Sequence, residues 1–471
     1  MAQRKYLAAP LPTEKMPAGM PYIFINEAAE RFAFYGMTSI LVVFMTSFLR
    51  GPGGALSDEQ ATEWFHWFNS AVYFLPFAGA LISDIWLAKY RTIIYFSVVY
   101  CVGFVAMTVD DTRLGLVLGL VLTAIGSGII KPCVAANVGD QFGTRNKHLL
   151  SKFYGWFYFA INLGAAVSMF LCPWLLHRFS AFAGFGVPAV LMIVSTITYW
   201  AGRRKFVHVP AAGSRFVRET FSAEGLRVVG RLSIIYVFII MFWALYNQSQ
   251  SAWVLQARNM NLRWLWINWL PEWPQAINSV LVMIMIPLFS YAVYPVLTRA
   301  FPLSPLRKIA IGLFVTALSF VVSAWIEMRI AAGFKPSLGW QGLAYVFLTA
   351  AEIMVSITAL EFSYTQAPKE MKSLIQAVFL LSISLGNAFT AVVNWFIRNE
   401  DGTSKLSGPG YYWFFVIAML VTSIFFIPVA RWYRPRDYIQ DEIPAELGAQ
   451  VGTAPGLGSA APAPSGDTSS S

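Results

Sequence analysis

An all-α membrane protein, with about twelve spanning helices arranged as two halves of six, is the architecture this sequence predicts. Three observations carry the expectation. The composition is too apolar for a soluble core, with 57% hydrophobic residues, 12% charged residues and a mean hydropathy of +0.57 over 471 residues. The apolar residues fall in runs of roughly 20, long enough to cross a hydrocarbon layer as helices and lacking the short alternating segments of a membrane barrel. A basic stretch from 203 to 231 divides those runs into two equal sets.

Each element follows from a run and its polar boundary, because in lipid a segment has to satisfy its own backbone groups. The first set of spans is expected near 21–49, 61–87, 91–109, 114–138, 153–175 and 183–202. The second is expected near 230–256, 276–300, 307–330, 340–366, 372–398 and 410–433. The chain then divides into an arm (1–20), a first six-helix bundle (21–202), a linker (203–229), a second bundle (230–433) and a tail (434–471). The linker carries Phe216, Val217, Phe221 and Leu226 among Arg215, Arg218 and Arg227. It reads equally as an interfacial amphipathic helix or as a basic loop. The tail ends in Ala, Pro, Gly and Ser and is expected to be disordered.

Lys and Arg resist translocation, so their distribution orients the spans. With both termini inside, roughly 23 of them fall on the cytoplasmic side and about 9 outside, leaving Arg31 and Lys131 within the membrane. The net charge of +10 is thereby assigned to topology, with no nucleic-acid partner expected. No secretory signal is expected either, since the first apolar run is too long and follows an arm containing Arg4, Lys5 and Lys15. Cys101, Cys133 and Cys172 all fall in spans and suggest neither disulfides nor a metal, and no cofactor is expected. No His-Glu-x-x-His run is present to suggest an intramembrane enzyme.

Charges inside spans are costly and usually line an aqueous path, which makes them the guide to function. Glu27, Glu30, Arg31, Phe34, Tyr35 and Thr38 recur at spacings of three and four. They therefore share one helical stripe facing the bundle interior. Two carboxylates one turn apart repel when both are ionised, so such a cluster suits a proton that is loaded and released, with Arg31 as the counter-charge. The same cluster would also serve as a plain helix-locking ion group. Lys131 and Glu352 are the other deep charges, in the fourth and tenth spans.

Six segments, in order, resemble the proton-dependent oligopeptide transporters of the major facilitator superfamily. They are Glu27 to Gly36, Gly79 to Lys89, Gly128 to Val134 with Gly139 to Phe142, Phe153-Tyr154 with Ile161 to Gly164, Phe242 to Leu245, and Leu360 to Pro368. The resemblance implies the major facilitator fold and proton-coupled symport of di- or tripeptides, or of peptide-like solutes, by alternating access. It places Glu27, Glu30 and Arg31 in proton coupling, with His66 matching a histidine of animal relatives that is equally readable as a structural donor. It assigns Lys131 to a substrate carboxylate, Glu352 to the amino end, and Asn162 and Asn278 to the peptide backbone. Tyr35, Tyr73 and Trp243 would form walls. The implied partners are peptide, protons and the bilayer, with the protein acting as a monomer in a bacterial inner membrane or a plasma membrane.

Departures from the family pattern cluster around charge. Thr38 stands where an arginine is usual, Phe34 lacks a tyrosine hydroxyl, and Asn247 and Ser290 replace acids on the seventh and eighth spans, leaving Arg231 without its usual partner. These changes make two alternatives realistic: a carrier of non-peptide substrates such as amino acid conjugates or small anions, and a weakly coupled transporter-like receptor. They also predict a gate with weaker ionic locking. Neither extra helices between the halves nor a large domain after the ninth span has room here, so a minimal twelve-helix form is expected.

Overall fold

The computed structural model describes residues 6, 7, 9–143, 145, 146, 148–211, 213, 223–366, 372–399, 404–406 and 408–434. Residues 214–222 of the linker's amphipathic stretch, residues 367 and 368 of the tenth-span motif and the tail after 434 lie outside the described residues, while Leu226 and Arg227 fall in the seventh spanning helix.

Among the described residues, twelve helices are long and apolar enough to cross a membrane. In the first half they are α1 (Met20–Phe48), α2 (Asp58–Leu87), α3 (Lys89–Val109), α4 (Arg113–Asp140), α5 (Ala160–Arg178, within a helix that begins at His148) and α6 (Ala181–Arg204). The second half holds α7 (Leu226–Ala257), α8 (Gln275–Ala300), α9 (Pro305–Ala331), α10 (Gly339–Ser363), α11 (Ile375–Ile397) and α12 (Pro409–Trp432). All twelve coincide with expected runs. Their starts have local causes. Ser57 caps α2 in a reciprocal box with Gln60, while Ser180 and Ser304 accept from the first-turn amides of α6 and α9.

Within the first half α1 packs on α5 and α6, α2 on α4, and α3 on α4 and α6. In the second, α7 packs on α11, α9 on α10 and α12, and α8 on α10. The halves meet along α2 with α11 and α5 with α8, which leaves one large apolar core in each. A close approach fixes the α2–α4 crossing. A Cβ added at Gly79 would lie 2.4 Å from the Ile129 carbonyl oxygen, which is backbone and cannot swing aside. Gly79→Ala is therefore expected to destabilise the protein by about 1–3 kcal/mol through overpacking, read as a lowered Tm in detergent; an unchanged Tm would show that the crossing relaxes.

Among the described residues, four spans contain a π-helical turn, in α1 (Phe44–Phe48), α2 (Ile82–Leu87), α8 (Phe289–Val293) and α10 (Ile353–Ile357). The last begins immediately after Glu352. The α7 span is interrupted: its α-helix ends at Tyr246, a tight turn covers Asn247–Gln250, and Ser251 breaks the helix at φ −132°, ψ −88° before Ala252–Ala257. Between α7 and α8 a two-stranded hairpin pairs β1 (Arg263–Trp264) with β2 (Ile267–Asn268).

Candidate transport site

The stripe expected on α1 is buried as a unit. Glu27, Glu30, Phe34 and Thr38 are buried, with Arg31 and Tyr35 nearly so. Arg31 Nε lies 2.9 Å from Glu27 Oε1 and 2.6 Å from Glu30 Oε2. Neither the Glu30 oxygens nor Arg31 Nε has a well-aligned hydrogen bond among the described residues, so charge rather than directional bonding holds Glu30 to Arg31.

Lys131 comes to this cluster from α4, one residue before Pro132, within electrostatic reach of Glu30, Glu27 and Arg31. Its Nζ has no hydrogen-bond partner among the described residues. It sits instead between two rings, 4.2 Å from the centroid of Phe34 and 4.4 Å from that of Tyr73. The missing hydroxyl at Phe34 is thus matched by an aromatic face turned to a cation, which attracts it electrostatically without consuming its donors. A buried ammonium with three unused donors is ready for an anionic ligand.

Glu352 answers from α10 in the other half. Asn278 Nδ2 donates to Glu352 Oε2 at 2.9 Å and contacts Thr349 Oγ1 at 3.0 Å, while the Tyr246 hydroxyl donates to Asn278 Oδ1 at 3.1 Å. The asparagine expected to meet a substrate backbone thus lines the cavity with its amide hydrogen-bonded to the acid. Tyr35, Asn162, Tyr246, Asn278 and Glu352 line one cavity of about 200 Å³ between the halves. Lys131, Phe34 and Tyr73 stand beside that cavity rather than on its lining. Trp243 is buried against Tyr246, with ring centroids 5.3 Å apart, one layer behind.

Of the departure positions, Phe34 faces Lys131 within the cluster, whereas Thr38, Asn247, Ser290 and Arg231 make contacts outside it. Thr38 Oγ1 donates to the Tyr35 carbonyl at 3.2 Å, and Asn247 Nδ2 to the Trp243 carbonyl at 3.0 Å, both within their own helices. Ser290 is exposed in the π-helical turn of α8. Arg231 donates to the Arg434 carbonyl at 2.6 Å and faces the Tyr433 ring, which ties α7 to the end of α12.

Polar ties between the halves gather at one end, where α1, α7 and α11 finish and α2 and α8 begin. His66 is fully buried there. Its Nδ1 meets Asn387 Oδ1 at 2.8 Å and its Nε2 meets Ser251 Oγ at 2.9 Å, at the break in α7. An amide oxygen only accepts, so Nδ1 carries a proton; in the neutral ring Nε2 then accepts from the serine. The Ser384 hydroxyl donates to the Ser70 carbonyl at 2.8 Å. Arg398 pairs with Glu63 at 2.8 Å, Arg258 with Asp58 at 3.6 Å, and His177 meets Glu272 at 2.9 Å. Gln275 also donates to the Ser39 carbonyl at 3.2 Å. The sequence marks His66, as a coupling group or a structural donor, but not its partners Asn387 and Ser251, the other residues of these ties, or Tyr246. The only signal was charge at span ends, which does not say which ends meet.

Among the described residues the opposite end, where α1 and α7 begin, shows no such ties. The ties described here therefore join the halves at the end where α2 and α8 begin. Arg398→Ala is expected to shift the population of the closed end toward opening by roughly tenfold, since a partly buried charge-assisted bond contributes about 1.5–3 kcal/mol before screening. Distances between spin labels on α2 and α11 would report it, and an unchanged distribution would mean that the pair carries no weight in closure.

The fold has close counterparts among known proteins. A family model described as the POT family matches residues 90–223 and 218–414. A crystal structure of an auto-inhibited POT family peptide transporter superposes with a TM-score of 0.82 at 29% identity, covering 90% of this chain and 99% of that one. The POT family transporter PepTSo gives a TM-score of 0.81 at 31% identity, over 88% and 98% of the two chains. These likenesses make the two bundles a major facilitator fold in a multi-pass membrane protein. In sequence, Peptide transporter family 1 of Drosophila melanogaster is 36% identical over 371 residues, 69% of this chain and 49% of that protein. Human solute carrier family 15 member 2 is 32% identical over 393 residues, 73% and 53% of the two chains. The chain thus spans about half the length of the curated relatives it matches. A match that runs across both bundles, from α3 to the first turns of α12, is the ground on which this chain belongs to the POT family.

Proposed function

We propose that this protein is a proton-coupled symporter of small peptides or peptide-like zwitterions. One observation carries the reading: an unpartnered buried ammonium, Lys131, lies beside a cavity whose other side holds a positioned carboxylate, Glu352. The two belong to different halves, so a zwitterion held between them would draw the halves together. The nearby cluster supplies the coupling. Counted as ionised, Glu27, Glu30, Arg31 and Lys131 sum to zero, so a substrate carboxylate arriving at Lys131 leaves one negative charge in excess. Protonating Glu27 or Glu30 restores the balance, which makes proton and substrate binding mutually favourable. The tied end is the external gate in this reading, both termini are cytoplasmic, and the protein works as a monomer in a cell membrane. Lys131, Tyr35, Asn162 and Glu352 contact substrate; Tyr73, Trp243 and Asn278 position those groups. His66 latches the external gate, and Asn247 and Ser290 leave that closure to other pairs.

Purified protein in liposomes, given an inward proton gradient, is expected to accumulate a labelled dipeptide above its external concentration and to lose that excess when an uncoupler is added. Accumulation indifferent to the uncoupler would overturn proton coupling. A second reading is favoured by Thr38, whose hydroxyl replaces a cation and is already engaged with Tyr35. With one cation fewer for the carboxyl end, amino acid conjugates belong in the same uptake panel.

A further inference from the structure

Away from the cavity between the halves, the outer surface of the first half carries a groove along the seam of α3 and α6. At the end where α3 begins, an opening of about 600 Å³ is lined by Arg91, Arg203 and His208, with Trp86, Tyr95 and Trp200 at its rim. Farther along the same seam a second hollow of about 320 Å³ is lined only by Val98, Cys101, Val102 and Val105 of α3 and Ile193, Thr196 and Ile197 of α6. The two hollows are continuous in register. On α3 the lining residues recur every three or four positions from Arg91 to Val105, about 21 Å of helix. That matches one leaflet of hydrocarbon, about 15 Å, plus a headgroup.

Its chemistry changes from one end to the other. The far part exposes Val98, Val102 and Ile197, each more than half accessible, and its two polar groups satisfy each other, Cys101 Sγ lying 3.3 Å from Thr196 Oγ1. The near part is cationic. Arg203 stacks on Trp200, its guanidinium 3.7 Å from the ring centroid, and one of its nitrogens donates to the Trp200 carbonyl at 2.9 Å. Neither Arg91 nor Arg203 has a carboxylate within ion-pair distance among the described residues, and the neighbouring Asp140 is taken by Lys89 at 2.7 Å. His208 Nε2 donates to the Arg203 carbonyl at 2.7 Å. Burial lowers its affinity for a second proton; the bond to that carbonyl opposes this and the Arg91 charge adds to it. The imidazole is therefore a neutral wall and the two guanidiniums set the charge. The floor is built: the chain at Leu7 bridges to Val207, and Tyr6 and Tyr90 pack on His208 with centroids 4.4 and 4.5 Å away.

We infer that this groove is a binding site for one anionic phospholipid, its phosphate held by Arg91 and Arg203 between the Trp86 and Trp200 rings and one acyl chain lying along the α3–α6 seam. Charge complementarity selects the headgroup, and the continuous apolar stripe selects a lipid over a free anion. The site ties α3, α6 and the N-terminal arm to the leaflet from which the first half rises. It therefore links the posture of that half to membrane charge.

The test is native mass spectrometry of the full chain in detergent, titrated with phosphatidylglycerol, phosphatidylcholine or inorganic phosphate. Phosphatidylglycerol is expected to bind more tightly than phosphatidylcholine, with inorganic phosphate neither binding at comparable concentration nor displacing the lipid. The Arg91→Gln/Arg203→Gln variant is expected to weaken phosphatidylglycerol by about 25-fold, roughly fivefold for each charge removed. Val102→Trp, which fills the apolar part and leaves both cations, is expected to weaken both lipids, and keeps the test decisive if the double variant fails to fold. Equal affinity for the two lipids, undiminished binding in the variants, or displacement by inorganic phosphate would each overturn the assignment.

Discussion

Replacing Glu30 by glutamine is expected to abolish gradient-driven accumulation while leaving exchange of substrate for substrate largely intact. Glu30 is buried, sits 2.6 Å from Arg31 Nε, and shares that cation with Glu27. Glutamine keeps the shape and holds the position permanently neutral, as a bound proton would. The cluster can then admit a substrate carboxylate at Lys131 without taking up a proton, so binding and halves-together movement continue but the gradient no longer acts. A one-unit pH gradient is equivalent to about 1.4 kcal/mol per proton, or about tenfold accumulation. The expected inside-to-outside ratio in liposomes therefore falls from about ten to about one. Counterflow measured in the same vesicles separates lost coupling from lost protein. Retained tenfold accumulation would remove Glu30 from the coupling path and leave Glu27 as the candidate.

Lys131→Ala carries the other large effect. The ammonium lies between Phe34 and Tyr73 with none of its donors hydrogen-bonded among the described residues. Its charge is therefore available to a ligand carboxylate in a poorly hydrated place. A charge-assisted hydrogen bond contributes about 1.5–3 kcal/mol, so affinity for a free dipeptide should fall by roughly tenfold to more than a hundredfold. A C-terminally amidated dipeptide, which never used the ammonium's charge in the same way, should lose far less. Competition binding of the two ligands to the natural and variant proteins gives the ratio directly. Equal losses for both would show that Lys131 shapes the cavity and does not read the carboxyl end.

The membrane fold was legible because hydropathy and charge are read locally, one run at a time, and each run needed only its own polar boundary to be placed. The α1 stripe was legible for a related reason. Glutamates at 27 and 30 and arginine at 31 have no local use in lipid, so their spacing alone pointed inward. The role of Asn278 was less visible: its amide is spent on Glu352 and Thr349, a partnership set by how α8 and α10 cross. At the tied end only His66 had been marked, and its partners had not. Glu63 and Arg398 are 335 residues apart and His66 and Ser251 are 185 apart, so which polar groups pair stays hidden until two six-helix bodies are docked. Tyr246 was hidden differently, as one more aromatic in an aromatic-rich span.

The crowding of those ties onto one rim has a consequence for rates. Each is modest alone, but they bridge the same two bodies, so none is gained by breaking another halfway. They have to part nearly together. In the proposed transport cycle, opening is then expected to be an activated, all-or-none event whose barrier contains most of the rim. Weakening one tie should quicken opening and leave reclosing almost unchanged, because the contacts are re-formed only after the barrier is passed. Turnover would be paced by that unlatching, and the break in α7 at Ser251, bound to His66, lies on the line where the rim parts.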